Sequence, residues 1–73
     1  MAKQKPFIIE HDGYRCEWFT RRSQLEVNVY RGDKLICELV YPKIPGIGFS
    51  DFTGEAIAIA KREIETSNKA ITP

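Results

Sequence analysis

Four segments in the first part of the chain have the pattern of β-strands. The first is a short apolar run, and the other three alternate apolar and polar residues, which is the period of a strand with one buried face. The four segments cover 7–10, 14–19, 24–30 and 35–41. The connections at 11–13 and 31–34 contain Asp-Gly or Gly-Asp, which are hairpin signals, and the connection at 20–23 is polar. The pattern therefore predicts an antiparallel meander of four strands, or of three if 7–10 does not form a strand.

After residue 41 the pattern changes to a helical spacing. Prolines and glycines interrupt regular structure over 42–50, and Asp51 or Thr53 is a suitable helix N-cap. The predicted helix runs to about Ser67, and its apolar stripe at helical spacing consists of Phe52, Ala56, Ile57, Ala60 and Ile64. The sequence predicts a single α+β domain over 1–73, with one C-terminal helix on one face of the meander and frayed tails at 1–5 and 68–73.

The alternation assigns each strand residue to one of two faces of the sheet. The predicted inner face, under the helix, holds Tyr14, Cys16, Trp18, Leu25, Val27, Val29, Leu35, Cys37, Leu39 and Tyr41. The predicted outer face holds Phe19, Tyr30, Ile36 and Val40. An antiparallel sheet can leave one face in water, and clustered apolar residues there favour an interaction surface. We expect these four residues to bind another protein or a second copy of the chain.

Composition and charge limit the classes of function. The chain has 73 residues, 11 basic and 10 acidic side chains and a formal net charge of +1, which is not the basic excess of a nucleic-acid binder. No apolar run is long enough to span a membrane, and no secretion signal is recognisable. Two distant cysteines do not indicate a disulfide framework. We expect a cytoplasmic protein with free thiols.

Catalytic and metal-binding patterns are weak. His11 is the only histidine, and with Cys16 and Cys37 it offers too few ligands, at the wrong spacing, for a zinc site. No serine lies in a nucleophile elbow. The loop Gly46-Ile47-Gly48 lacks the Lys-Ser/Thr that follows a nucleotide-binding loop. We therefore predict no enzyme activity, no metal and no cofactor.

Nucleic-acid binding is the alternative function that the sequence leaves open. Arginines bind phosphate and exposed aromatic rings stack on bases, as on some RNA-binding sheets. The candidate residues are Arg15, Arg21, Arg22 and Arg31, with Tyr30 as a stacking platform. Acidic residues are interleaved with them, which dilutes the positive charge.

The segment 39–64 resembles HicB-type antitoxin lobes. The residues that carry the resemblance are Val40-Tyr41-Pro42-Lys43-Ile44-Pro45-Gly46, then Glu55-Ala56-Ile57, Ala60-Lys61 and Ile64. The chain departs from that family by its extra hairpin strands before the Pro-Gly run, and the strand after the helix has little counterpart. The resemblance implies a small domain that binds a partner protein and carries over no catalytic residue. We predict a non-enzymatic protein–protein interaction module, an accessory protein of a bacterium or phage.

Overall fold

The computed structural model describes the backbone of residues 5–71 and the side chains of residues 5–66. The element order is β1 (Phe7–His11), β2 (Tyr14–Thr20), β3 (Gln24–Arg31), β4 (Lys34–Pro42) and α1 (Phe49–Ile71). The strands form one antiparallel sheet in the order β1-β2-β3-β4, so that β1 and β4 are its edges. The predicted α+β meander with a C-terminal helix is confirmed, and the first of the four predicted segments does form a strand.

Two tight turns fix the register of the outer hairpins. In the β1–β2 turn both central residues are left-handed, with φ of 56° at Asp12 and 80° at Gly13, which is the type I′ geometry that suits twisted strands. In the β3–β4 turn only Gly32 is left-handed, with φ of 62°, as in type II′. The turns set His11 opposite Tyr14 and Arg31 opposite Lys34.

A β-bulge in β4 changes which face two residues occupy. Val29 lies opposite Cys37, but Tyr30 lies opposite Leu35, so Ile36 is an extra residue in β4. Ile36 packs against the core, and Leu35 lies beside the outer-face residue Tyr30 and is 40% exposed. The predicted placement of Leu35 on the inner face and Ile36 on the outer face is therefore wrong. Simple alternation assumes a constant register, and the bulge breaks it.

The core lies between the inner face of the sheet and α1. Its buried apolar residues are Tyr14, Cys16, Trp18, Leu25, Val27, Val29, Tyr41, Ala56, Ile57 and Ala60. Trp18 is only 1% exposed, and its Nε1–H donates a hydrogen bond to Thr53 Oγ1 at 3.1 Å. The Thr53 hydroxyl in turn donates to the Phe49 carbonyl at 2.8 Å. The indole is thus buried without leaving its donor unpaired, which would cost about 1–3 kcal/mol.

The loop between β4 and α1 ends in a capped helix. The Gly48 N–H donates to Asp51 Oδ2 at 2.7 Å, and the Asp51 N–H donates to the Gly48 carbonyl at 3.1 Å. The first of these bonds is the half of a capping box in which the side chain in the first turn accepts from the N–H of the cap residue, and the second is a backbone turn, because Gly48 has no side chain to complete the box. The helix therefore begins before both predicted caps. It also continues through Ile71, into the segment predicted as a tail, whereas residues 1–4 and 72–73 of the predicted tails lie outside the described residues.

Candidate functional site

An apolar groove lies where the β4–α1 loop passes the end of β2 and the start of β3. We call it the loop groove, and it has a volume of about 490 Å³. It is lined by Thr20, Leu25, Lys43, Ile44, Pro45, Ile47, Gly48 and Phe49. Ile44 and Ile47 are each 40% exposed. A groove with this lining offers water-exposed apolar surface that a partner could cover.

A tight turn holds the two exposed isoleucines of the loop groove in place. The Ile47 N–H donates to the Ile44 carbonyl at 3.1 Å, and Gly46 has φ of 84°. Pro45 and Gly46 are the central residues of a type II turn, in which proline fixes the first position and glycine accepts the left-handed second one. The exposed side chains of Ile44 and Ile47 therefore extend from a preorganised backbone.

Aromatic stacking connects the groove to the core. The Phe49 ring lies 5.2 Å from the Trp18 ring, centroid to centroid, and 5.3 Å from the Phe7 ring. Phe7 is 55% exposed, whereas Trp18 is buried. Aromatic contacts of this kind add stability beyond the area they bury. They give the loop groove a rigid wall at Phe49 and extend its apolar surface to the start of β1.

The groove has a cation at its rim. Lys43 Nζ donates to the Arg21 carbonyl at 3.2 Å, which ties the β4–α1 loop to the connection between β2 and β3. In residues 5–66, where side chains are described, Lys43 has no carboxylate within ion-pair distance. Its positive charge is therefore balanced by no neighbouring acid at the edge of an otherwise apolar surface.

The predicted outer-face residues do not form one patch. Phe19 and Val40 flank Glu26, whereas Tyr30 lies towards the other end of the strands, beside Leu35. A polar row consisting of Glu17, Asn28 and Glu38 runs across β2, β3 and β4 between these two groups. Ile36 is absent from this face because of the bulge. Val40, 59% exposed, is the most open of the four predicted residues.

Arginines lie over the outer-face aromatic rings. The Arg15 guanidinium is 4.7 Å from the Tyr30 ring centroid and pairs with Glu17 at 3.1 Å. The Arg21 guanidinium is 5.4 Å from the Phe19 ring centroid and pairs with Glu26 at 3.0 Å. Each ring thus contributes to a cation–π contact. The outer face is therefore a mixture of charged and apolar groups.

The four candidate nucleic-acid-binding arginines are divided between surfaces. Arg15 and Arg21 lie over outer-face rings, and Arg22 is exposed in the β2–β3 connection. Arg31 lies instead over the ring of the inner-face residue Tyr14, at 5.0 Å from its centroid. These positions do not bring the four guanidinium groups to one surface.

His11 and the two cysteines are not brought together as a reactive site. His11 is exposed at the end of β1, while Cys16 and Cys37 lie on either side of Val29 in one row of the inner face. Burial raises the pKa of the Cys16 thiol, and burial with the nearby Glu63 charge raises the pKa of Cys37. Both changes disfavour the thiolate, which is the reactive form. Among the described residues, no group of three or more His, Cys, Asp or Glu side chains could hold a metal ion.

Comparison with other proteins adds nothing to this geometry. No protein-family model, curated protein or solved structure shows significant similarity to the chain. Within the described part of the chain, α1 is not apolar enough to be a candidate for crossing a membrane.

The loop groove is the feature that the sequence analysis missed. The prolines and glycines of 42–50 were sufficient to predict an irregular connection, but not its shape. A signal was present, because Ile44 and Ile47 stand at the two ends of a Pro-Gly pair. Apolar residues that flank a turn in a loop have no strand or helix face on which to be buried, so they were candidates for exposure.

Proposed function

We propose that this protein is a non-enzymatic protein–protein interaction module and that the loop groove is its binding surface. The observation that carries the proposal is the pair of exposed isoleucines, Ile44 and Ile47, held on a hydrogen-bonded turn. Exposed apolar side chains in a concave site lose water contact when a partner binds. A fixed backbone also lowers the entropy lost on binding.

The chemistry of the groove favours a partner segment that is apolar and carries an acidic residue. The lining is mostly apolar, and Lys43 is the charged residue in it. A carboxylate beside Lys43 would balance its charge, while a basic segment would be repelled. The partner of the proposal is therefore a protein with an exposed apolar side chain next to Asp or Glu.

The resemblance of 39–64 to HicB-type antitoxin lobes supports a binding role, since it includes the loop that forms the groove. The helix continues through Ile71, so the strand that follows the helix in that family is not found at residues 70–71. We propose only a partner-binding role from this resemblance. A cytoplasmic location and a bacterial or phage source belong to the same proposal.

The test is an affinity measurement on the partner recovered with the tagged protein from a lysate of the source organism, with nuclease present. Ile47→Glu places a carboxylate on the apolar surface, and we expect it to weaken binding by about tenfold or more. Val40→Glu is the matched control, because Val40 is exposed on the outer face, away from the groove. Thermal unfolding of both variants shows whether they fold like the parent.

The two variants also separate the loop groove from the outer face predicted from sequence. If Val40→Glu abolishes binding and Ile47→Glu does not, then the outer face with Phe19, Tyr30 and Val40 is the binding surface and the groove is not. If nuclease removes every captured protein, the alternative of nucleic-acid binding gains support. In that case, the basic side chains that we expect to contact phosphate are the adjacent Arg21 and Arg22, with Lys43 nearby.

A further inference from the structure

The two edges of the sheet differ in how they are protected from pairing with another strand. The β4 edge contains the bulge at Ile36 and the charged residues Lys34 and Glu38. Bulges, charges and covering elements are the usual means of blocking an edge. The β1 edge has no bulge in its pairing with β2, and its Phe7 and Ile8 are about half exposed.

The turn at Asp12-Gly13 determines which backbone groups of β1 are free. A tight turn makes His11 and Tyr14 a hydrogen-bonded pair, and hydrogen-bonded pairs alternate along an antiparallel ladder. Phe7 and Ile9 then bond to β2, opposite Trp18 and Cys16. The N–H and C=O groups of Ile8 and Glu10 point away from β2, towards the open edge.

We propose that β1 pairs antiparallel with β1 of a second copy of the chain, about a two-fold axis at Ile9. Ile8 of one copy then lies opposite Glu10 of the other, and their free backbone groups bond to each other. A two-fold pair uses the same surface on both copies, so the edge must be complementary to itself. This inference rests on the proposed role as an interaction module, and it names one partner and the strand that binds it.

The alternative two-fold registers are less favourable. An axis at Ile8 would set Glu10 against Pro6 of the other copy, and proline has no N–H to donate. An axis at Glu10 would set the two Glu10 carboxylates directly opposite each other, and like charges in that position are destabilising. The axis at Ile9 avoids both the missing N–H of Pro6 and the facing Glu10 carboxylates. It places the apolar Ile9 side chains of the two copies against each other on the inner face.

The experiment is sedimentation velocity of the full chain over a range of concentrations, with charge variants that depend on the register. We expect the parent to form a dimer and Ile8→Glu to weaken it by about tenfold, because a glutamate then faces Glu10 of the other copy twice in each dimer. Ile8→Lys faces Glu10 with the opposite charge, and we expect it to retain the dimer. Val40→Glu, an equally exposed position on the β4 edge, should leave the dimer unchanged.

Rescue makes the test specific for the register. Ile8 also lies opposite Glu17 within the chain, so thermal unfolding must show that Ile8→Glu still folds. Adding Glu10→Lys to Ile8→Glu restores opposite charges across the proposed interface, and we expect the dimer to return. A parent that stays monomeric at several hundred micromolar, or equal loss with Ile8→Glu and Ile8→Lys, would overturn the proposal. Neither result affects binding in the loop groove, which Ile47→Glu tests separately.

Discussion

At the scale of single residues, Asp12 combines a backbone role with an electrostatic one. Its φ of 56° is in the left-handed region, which Asp and Asn accept more readily than most residues. Its carboxylate also accepts a hydrogen bond from Lys61 Nζ at 2.5 Å, which links the β1–β2 turn to α1. The hydrogen bond and the charge of Lys61 lower the pKa of Asp12 below its ordinary value of 3.8.

The lowered pKa of Asp12 predicts a pH dependence of stability. A carboxyl group whose pKa is lower in the folded chain stabilises it above the unfolded pKa, and this contribution disappears as the pH falls through the folded pKa. We expect Asp12→Asn to lower the free energy of unfolding at pH 7 and to make no difference at the most acidic pH at which the protein folds. Asparagine also accepts the left-handed conformation, so the turn is kept.

Urea unfolding from pH 7 down to the lowest pH at which the protein still folds measures this dependence. Asp33→Asn is the control, because Asp33 lies in the other hairpin turn and takes part in none of the ion pairs among the described residues. If Asp12→Asn and the parent differ by the same amount at every pH, the contact with Lys61 does not stabilise the fold through charge.

At the scale of the elements, local pattern predicts the strands and the stripe of α1, because each of these depends on residues near in sequence. Trp18 and Ile57 were assigned correctly to the core for that reason. The bulge at Ile36 was not predictable in this way, since it concerns how β4 pairs with β3. The loop groove likewise depends on a loop that meets strands distant in sequence. Alternation and spacing describe one element at a time and contain no information about such contacts.

Because of the bulge, we expect truncation of Ile36 to destabilise the fold more than truncation of Leu35. Simple alternation, which places Leu35 on the inner face, would predict the opposite. Ile36 packs against the core, so Ile36→Ala should cost about 2 kcal/mol in the free energy of unfolding. Leu35 is exposed beside Tyr30, and Leu35→Ala should cost less than about 1 kcal/mol. Urea unfolding of both variants measures the difference. An equal cost, or a larger cost at Leu35, would show that the register of β4 is not shifted at this point.

At the scale of the whole molecule, the loop groove and the β1 edge, which are the two proposed binding surfaces, lie close to each other. Phe7 begins β1, and its ring contacts Phe49, which lines the loop groove. Among the exposed large apolar residues, Phe7 and Ile8 lie on β1 and Ile44 and Ile47 lie in the loop, whereas Leu35 and Val40 lie on β4. A dimer through β1 would therefore place the second copy next to the loop groove of the first.

The distribution of charge over the molecule predicts weak or absent binding to nucleic acid. The net charge is +1, and Arg15 and Arg21 are paired with glutamates. Nonspecific affinity for nucleic acid grows with the number of phosphates that basic side chains neutralise, and it falls steeply with salt. With its arginines divided between surfaces, the protein can place few of them on one strand of phosphates. We expect no retention of single-stranded or duplex oligonucleotides at micromolar protein and low salt.

A filter-binding series from low to physiological salt tests this expectation against the alternative function. If retention occurs and decreases with salt, the variant with both Arg21→Ala and Arg22→Ala should weaken it and reduce the slope against salt concentration. Arg31→Ala is the matched control, because Arg31 lies over Tyr14 and not beside the β2–β3 connection. Binding that the double variant weakens and Arg31→Ala does not would contradict the expectation. Such a result would identify the β2–β3 connection, which Lys43 also contacts, as a phosphate-binding surface. The basic rim of the loop groove would then recognise nucleic acid and not an acidic protein segment.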